Sequence, residues 1–319
     1  MNILVTGCAG FIGFHLSKLL LEKKYKVIGI DNLNDYYDVN LKKERLRLLK
    51  KNKYFTFKKI DICNLKNLKL LFKQNKIKIV INLAAQAGVR YSIVNPKTYL
   101  ENNVLGYFNL LEVCRKHKIN HLVQASTSSV YGNHKKFPLN EGLDTSFPLS
   151  FYAASKKSTE VLSHSYSYIY NLPITCLRFF TVYGPYGRPD MALFKFVKNI
   201  QNGRPIKLFN FGNHQRDFTY VEDVTISIEK IMKKPSKRKI PFEIYNIGSN
   251  NPVSLIKFVN FIETQLQKRA KFIKTTIQLG DIFKTHADNY KITKKINYSP
   301  QISIEQGVKK FINWFKQYY

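Results

Sequence analysis

The 319-residue sequence predicts an α/β fold: a parallel sheet with helices on both faces, followed by a smaller C-terminal α/β lobe. Three observations lead there. Short apolar runs alternate with helical patterns through the first half, the order that builds right-handed βαβ units. A glycine-rich turn, GCAGFIG at 7–13, joins the first run to the first helix. Beyond about residue 184 the alternation breaks into short elements punctuated by Gly and Pro, so 1–183 and 184–319 are expected to form separate lobes.

The first strand is NILVT at 2–6, apolar and directly followed by the turn. Gly7, Gly10 and Gly13 stand where a chain turns sharply, meets a pyrophosphate and packs helix on strand. Phosphates would rest on the free N–H groups opening helix 11–23. The spacing is GxxGxxG, and close packing without a ligand is the alternative. Strand 26–31 ends on Asp31, 18 positions after Gly13. A carboxylate there accepts from an adenosine ribose and repels a 2′-phosphate, which favours NAD over NADP. Segment 32–53 reads as a long connection, aromatic and then basic.

Strand 55–60 runs into Asp61 and Ile62, placed either to contact adenine or to cap helix 65–74. Strand 79–83 and helix 102–117 follow, then strand 121–125, which opens into STSSVYG. That stretch sets Thr127, Ser128 and Ser129 side by side with no carboxylate. Helix 152–170 has start signals in Pro148 and Ser150 and carries Tyr152 and Lys156 four apart, on one face. A phenol with a pKa of about 10 is a poor base at neutral pH. An adjacent ammonium and a positive nicotinamide would favour its phenolate; a plain surface pair is the alternative. Strand 174–179 closes the half. Parts of 217–249, TYVEDVTISIEKIMKK and FEIYNIGS, look like a helix and a strand returning to the main sheet.

The formal charge of +31 draws anions in general. It is spread along helices, with one dense block, KKPSKRK at 233–239, that resembles a solvated loop. No nucleic-acid motif accompanies it, so no nucleic-acid partner is expected. No apolar run approaches the roughly 18 residues of a membrane span, so no membrane insertion is expected. Cys8, Cys63, Cys114 and Cys176 are isolated within apolar segments. They predict neither disulfides nor a metal site, and with the strand-like start NILVTG they predict a cytoplasmic protein.

The ordered set GCAGFIG, DN at 31–32, DI at 61–62, NLAA at 82–85, STSSVYG and YAASK resembles the extended short-chain dehydrogenase/reductase family acting on nucleotide sugars. More narrowly, NLAAQAGVRYS, PLSFYAASKK, LRFFTVYGPYGRPDMALFKF, QRDFTYVEDV and GDIFKTHAD are similar to its UDP-glucuronate 4-epimerase branch, across essentially the whole chain. The resemblance implies a Rossmann-type domain with tightly bound NAD, a C-terminal lobe gripping the UDP-sugar, and a homodimer through helices 102–117 and 152–170. It implies redox-neutral inversion at carbon 4 of UDP-glucuronate, giving UDP-galacturonate through a 4-keto sugar. Another UDP-hexose, or decarboxylation, is the neighbouring alternative.

In that reaction the resemblance makes Tyr152 the acid/base, Lys156 the ribose anchor that lowers the tyrosine pKa, and Thr127 a partner of the 4-oxygen. It implies cofactor contacts at Gly7, Gly10, Phe11, Ile12, Gly13, Asp31, Asn32, Asp61, Ile62, Leu83, Ala84, Ala85, Asn102, Ser126, Phe179 and Val182. For Asn102 a plain N-cap is the alternative. Related sugar dehydratases carry an Asp-Glu pair after the threonine, whereas Ser128 and Ser129 offer hydroxyl donors to a substrate carboxylate. A 4-keto glucuronate is a β-keto acid, which loses carbon dioxide if its carboxylate aligns with the carbonyl. Thr127, Ser128, Ser129 and the fork of Arg188 are expected to hold that group out of alignment. At the nucleotide end, Arg216 matches a pyrophosphate arginine, Phe209 and Phe211 lie where uracil is held or else are core, and Asp281 meets the ribose. Thr181 suits the glucuronate branch, and Arg90 and Tyr91 either line the sugar pocket or pack a loop. Cys8 in the glycine turn raises the prospect of thiol-sensitive cofactor retention.

Overall fold

The structure, a computed structural model, describes every residue from Met1 to Tyr319. The first half runs β1 (Asn2–Thr6), α1 (Phe11–Glu22), β2 (Lys26–Asp31), α2 (Val39–Lys50), β3 (Phe55–Lys59), α3 (Leu65–Gln74) and β4 (Ile77–Asn82). Two single turns, α4 (Tyr91–Val94) and α5 (Pro96–Tyr99), lead through a π-helical stretch, Leu100–Leu105, into α6 (Gly106–Lys116). Then come β5 (His121–Thr127), a 3-10 turn at Ser128–Tyr131, α7 (Phe151–Tyr170) and β6 (Ile174–Phe179). The remainder is β7 (Thr181–Tyr183), α8 (Ala192–Gln201), β8 (Ile206–Leu208), β9 (Gln215–Tyr220), α9 (Val221–Ile231) and β10 (Phe242–Ile247). It ends with β11 (Pro252–Ser254), α10 (Leu255–Leu266), β12 (Phe272–Lys274), α11 (Tyr290–Ile296) and α12 (Ile304–Tyr318).

Seven strands form one sheet, β10-β6-β5-β4-β1-β2-β3, and every pairing in it is parallel. A parallel sheet needs apolar cover on both faces. One face is closed by Phe14, Leu16 and Leu20 of α1 with Val224 and Ile228 of α9. The other is closed by Leu68 and Leu71 of α3 and Leu110 and Leu111 of α6. A third core, centred on Phe194, Phe258 and Phe311, holds the smaller lobe. Its strands pair separately, as β11-β9-β7 and β12-β8. Asp217 on β9 has no exposed surface and accepts from Ser249 N and Oγ, Asn250 N and Ala287 N at 2.7–3.0 Å. One carboxylate thus gathers two loops beneath Arg216.

Two expectations change. Segment 32–53 is not simply a connection: it contains α2, capped by Asp38, whose side chain accepts from Asn40 N. Its buried face includes Lys42 and Arg45 beside Leu41, Leu46 and Leu49, and those charges erase the apolar stripe that would have announced a helix. Asn102 is not an N-cap. It lies inside helical backbone that begins at Pro96, and its Nδ2 donates to Thr98 O at 2.8 Å.

Candidate active site

β1 and β4 are neighbours, yet the chain leaves β1 toward β2 on one side and β4 toward β5 on the other. That reversal opens a crevice beyond the carboxyl ends of the strands. A cavity of about 430 Å³ lies there, lined by the glycine turn, the ends of β2, β4 and β5, the start of α7, and Arg188. Gly7 has φ +69, and a Cβ on it would meet Ala84 N at 2.8 Å. A Cβ on Gly13 would stand 2.1 Å from Gly7 O. Backbone therefore fills the space where side chains would be. No side chain caps α1 at Gly10, which leaves its first-turn N–H groups facing the cavity without intrahelical acceptors. A cradle of glycine backbone with free N–H groups fits a dinucleotide pyrophosphate.

The floor is tied across three strands. Thr6 Oγ1 donates to Asn82 Oδ1 at 2.5 Å and accepts from Ala84 N at 3.1 Å, while Asn82 Nδ2 donates to Gln124 Oε1 at 2.7 Å. Arg45, fully buried, holds the turn from below by donating to Ala9 O at 2.8 Å, Tyr37 OH at 2.7 Å and Tyr186 O at 2.6 Å. Cys8 is also fully buried, and burial followed by the nearby Asp31 charge pushes its thiol pKa well up. Such a thiol is inert, contrary to the expected reagent sensitivity.

At the adenosine end, Asp31 accepts from Ala9 N at 3.1 Å and Leu33 N at 2.8 Å, and burial raises its pKa. Asp61 accepts from Asn32 Nδ2 at 2.8 Å and Cys63 N at 2.7 Å. Burial pushes Asp61 up, but these donors outweigh it and the net shift is downward. The N-cap of α3 is Asn64, not Asp61. Lys42 also lines this end and donates to Asn34 O and Oδ1 at 2.6 Å. Sequence reading missed it, together with Tyr36 and Tyr37, because their only local signal was an aromatic, basic connection; Gln86, after β4, was missed too.

At the opposite end Ser150 caps α7 by accepting from Ala153 N, and Tyr152 follows in the first turn. Thr127, at the end of β5, lies close enough to Tyr152 to favour its phenolate, and Thr127 Oγ1 donates to Ser129 Oγ at 3.3 Å. The expected lowering of the tyrosine pKa by Lys156 is corrected. Burial raises Tyr152, and the opposing influences are Thr127 and the Arg188 charge. Lys156 Nζ instead donates to Ala125 O at 2.8 Å, and burial lowers its own pKa to about 8. Below them Glu160 accepts from Ser126 Oγ at 2.7 Å and from Arg178 Nε and Nη2 at 2.8 and 2.9 Å, locking α7 to β5 and β6.

Arg188 lines the cavity and is bidentate to Asp190, through Nε at 2.9 Å and Nη2 at 2.5 Å, with Nη1 outside that pair. Thr181, Val182, Phe179, Ser128 and Ser129 line the same cavity. Phe209, Phe211, Arg90, Arg216 and Asp281 do not; apart from the exposed Phe211 they form a second cluster next to it. Arg90 pairs with Asp281 at 3.3 Å and lies 4.1 Å over the Phe209 ring, while the Tyr91 ring packs 4.9 Å from that of Tyr36. Arg216 donates to Gln215 O and Phe283 O, each at 3.0 Å. Phe211 is not core: it is 60% exposed on a turn with φ +54. A Cβ on Gly280 would come within 3.1 Å of Val89, which lines the cavity, so the two groups abut.

A family model described as GDP-mannose 4,6 dehydratase matches residues 4–311. The chain is 46% identical to Protein CapI of Staphylococcus aureus, over 100% of this chain and 99% of that protein. It is 44% identical to a UDP-glucuronate 4-epimerase of Thermodesulfobacterium geofontis, over 98% and 96% of the two. Its structure is similar to the UDP-glucuronic acid 4-epimerase of Bacillus cereus solved with UDP-glucuronic acid and NAD, with a TM-score of 0.94, 36% identity and 100% of both chains covered.

Proposed function

The chain belongs to the GDP-mannose 4,6 dehydratase family, a branch of the extended short-chain dehydrogenases/reductases, and we propose that its reaction is 4-epimerisation of UDP-glucuronate to UDP-galacturonate. It is an isomerase that uses NAD. One observation carries the choice within the family. The only carboxylates lining the cavity are Asp31 and Asp61, both at the adenosine end, while the tyrosine end presents Thr127, Ser128 and Ser129. Elimination of water needs an acid/base pair beside the sugar, and none is there. An acidic sugar needs donors without a competing anion, and three hydroxyls supply them.

The glycine cradle, Asp31 and Asp61 would hold NAD, which would supply reversible oxidation at carbon 4 and a positive charge. Tight retention of that cofactor through the cycle is part of the same proposal. Tyr152 holds the proton of the sugar 4-oxygen, with Thr127 beside it at the end of β5. Burial raises the phenol on balance despite the Arg188 charge, so a phenolate at neutral pH would draw on the added positive charge of a bound nicotinamide. Arg188 contributes its charge and the Nη1 donors that the pair with Asp190 leaves over. Ser128 and Ser129 orient the carboxylate. Residues 1–183 bind mainly the dinucleotide, and 184–319 mainly the nucleotide sugar, with Arg216 toward the phosphates. α6 and α7 form the dimer face, a reading supported by exposed Leu105, Phe108, Val161 and Ile169. No helix is long and apolar enough to cross a membrane, and we place the enzyme in the cytoplasm.

The test is purified protein with UDP-glucuronate and no added NAD, products resolved by NMR. UDP-galacturonate is expected. A UDP-pentose or unchanged substrate overturns the assignment.

A further inference from the structure

In a parallel sheet every strand begins at the same end, so the loops that precede the strands share one pole of the molecule. Here that pole is opposite the cavity, and five of those loops read KKYK (23–26), KKNK (50–53), KIK (76–78), KHK (116–118) and KKPSKRK (233–239). Together they hold fifteen lysines and arginines and no aspartate or glutamate. They lie before or across the starts of β2, β3, β4, β5 and β10. The sequence scatters them; the topology collects them.

Contacts join the loops into one surface. Val27 N donates to Tyr54 O at 2.9 Å, and Asn120 N donates to Lys78 O at 2.8 Å. His121 donates to Met232 O at 2.9 Å, and Lys233 lies 5.7 Å over the Tyr25 ring. The neighbouring carboxylates are few. Glu229 pairs with Lys23 and Lys233, and Glu243 pairs with Arg238 at 3.2 Å and Lys291 at 2.9 Å. Cations at helix C-termini offset the helix dipole, but about one per terminus does so. Five termini leave most of this charge unexplained.

We propose that this pole is a docking face for an anionic phospholipid bilayer. Breadth and composition favour that partner. From β3 to β10 the sheet spans six strand spacings, about 30 Å, a broad face rather than a groove. All but one of the fifteen cations are lysines, suited to diffuse attraction by a charged leaflet. Nucleic-acid sites rely on arginine forks and stacking aromatics, and the single arginine here, Arg238, is tied to Glu243. Docked this way, the cavity faces away from the bilayer and stays open to solution.

The test is co-sedimentation of the intact enzyme with vesicles of phosphatidylcholine alone or with about one third phosphatidylglycerol, at low and high salt. Binding is expected only to the anionic vesicles and is lost at high salt. A variant carrying Lys234→Glu, Lys237→Glu and Lys239→Glu should bind at least about tenfold less, with turnover of UDP-glucuronate unchanged, since the loop is remote from the cavity. The same lysines changed to Gln should give an intermediate loss. Equal binding to neutral vesicles, no binding to anionic ones, binding indifferent to charge reversal, or tighter binding to duplex DNA at matched salt overturns the proposal. None of these outcomes bears on the epimerase assignment, which turnover reports separately.

Discussion

Tyr152 and Lys156 were visible as a pair because a helix repeats its faces every three to four residues. Their electrostatics were not. The ammonium that was expected to depress the phenol is spent on Ala125 O, and Tyr152 depends on Thr127 and on a guanidinium thirty-six positions away in sequence. Arg188 likewise is legible as a residue but not as an interaction, since its partner Asp190 becomes a bidentate acceptor only when the loop folds back. At this scale the sharpest prediction is Tyr152→Phe. The fold and the nucleotide released on denaturation should match the parent, while turnover falls about 10²- to 10⁴-fold. Unreduced turnover removes Tyr152 from the acid/base role.

Among the elements, the glycine turn shows how backbone approach becomes function. Gly13 lies where α1 crosses the turn, and no side-chain movement can relieve a contact with Gly7 O. Gly13→Ala should therefore force α1 off the turn, with loss of bound nucleotide and a lower thermal midpoint; retention of both rejects the close-packing account. α7 carries two jobs on opposite faces. Lys156 and Glu160 are buried toward β5 and β6, whereas Val161 and Ile169 face outward. Val161→Lys with Ile169→Lys should shift the protein to monomer in light scattering, and a persistent dimer excludes this helix as the interface. Most strands and α1, α3 and α7 were readable within a residue or two from apolar runs. α2 was not, because Lys42 and Arg45 serve the site from what would otherwise be its apolar face.

Across the whole molecule, two histidines, one buried and one half-buried, set the acid limit. His121 is 1% exposed; as the neutral ring its Nδ1–H donates to Met232 O and its Nε2 accepts from Thr175 Oγ1. Burial lowers its pKa to about 4, and burial likewise lowers His15, bonded to Pro185 O, to about 4. Between about 4 and 6.5 the unfolded chain binds these protons and the folded one does not, so stability rises with pH across that window and is lost on acidification. Each histidine contributes at most about 3 kcal/mol. Urea midpoints measured from pH 7 to 5 should fall, and fall less in His121→Gln, which keeps a donor and an acceptor without titrating. An identical slope in that variant rejects the assignment.

The sequence by itself determined the alternation of strand and helix, the dinucleotide turn, and the hydroxyl cluster with its tyrosine. Each is a local pattern, fixed by periodicity or by residues within one turn of each other. Only the tertiary structure decided which charges meet. Glu160 binds Arg178, Asp281 binds Arg90, the nucleotide-end residues gather away from the sugar hydroxyls, and scattered lysines become one pole. Electrostatic partners act through space at a few ångströms, and that distance is set by how the parallel strands are ordered rather than by position along the chain.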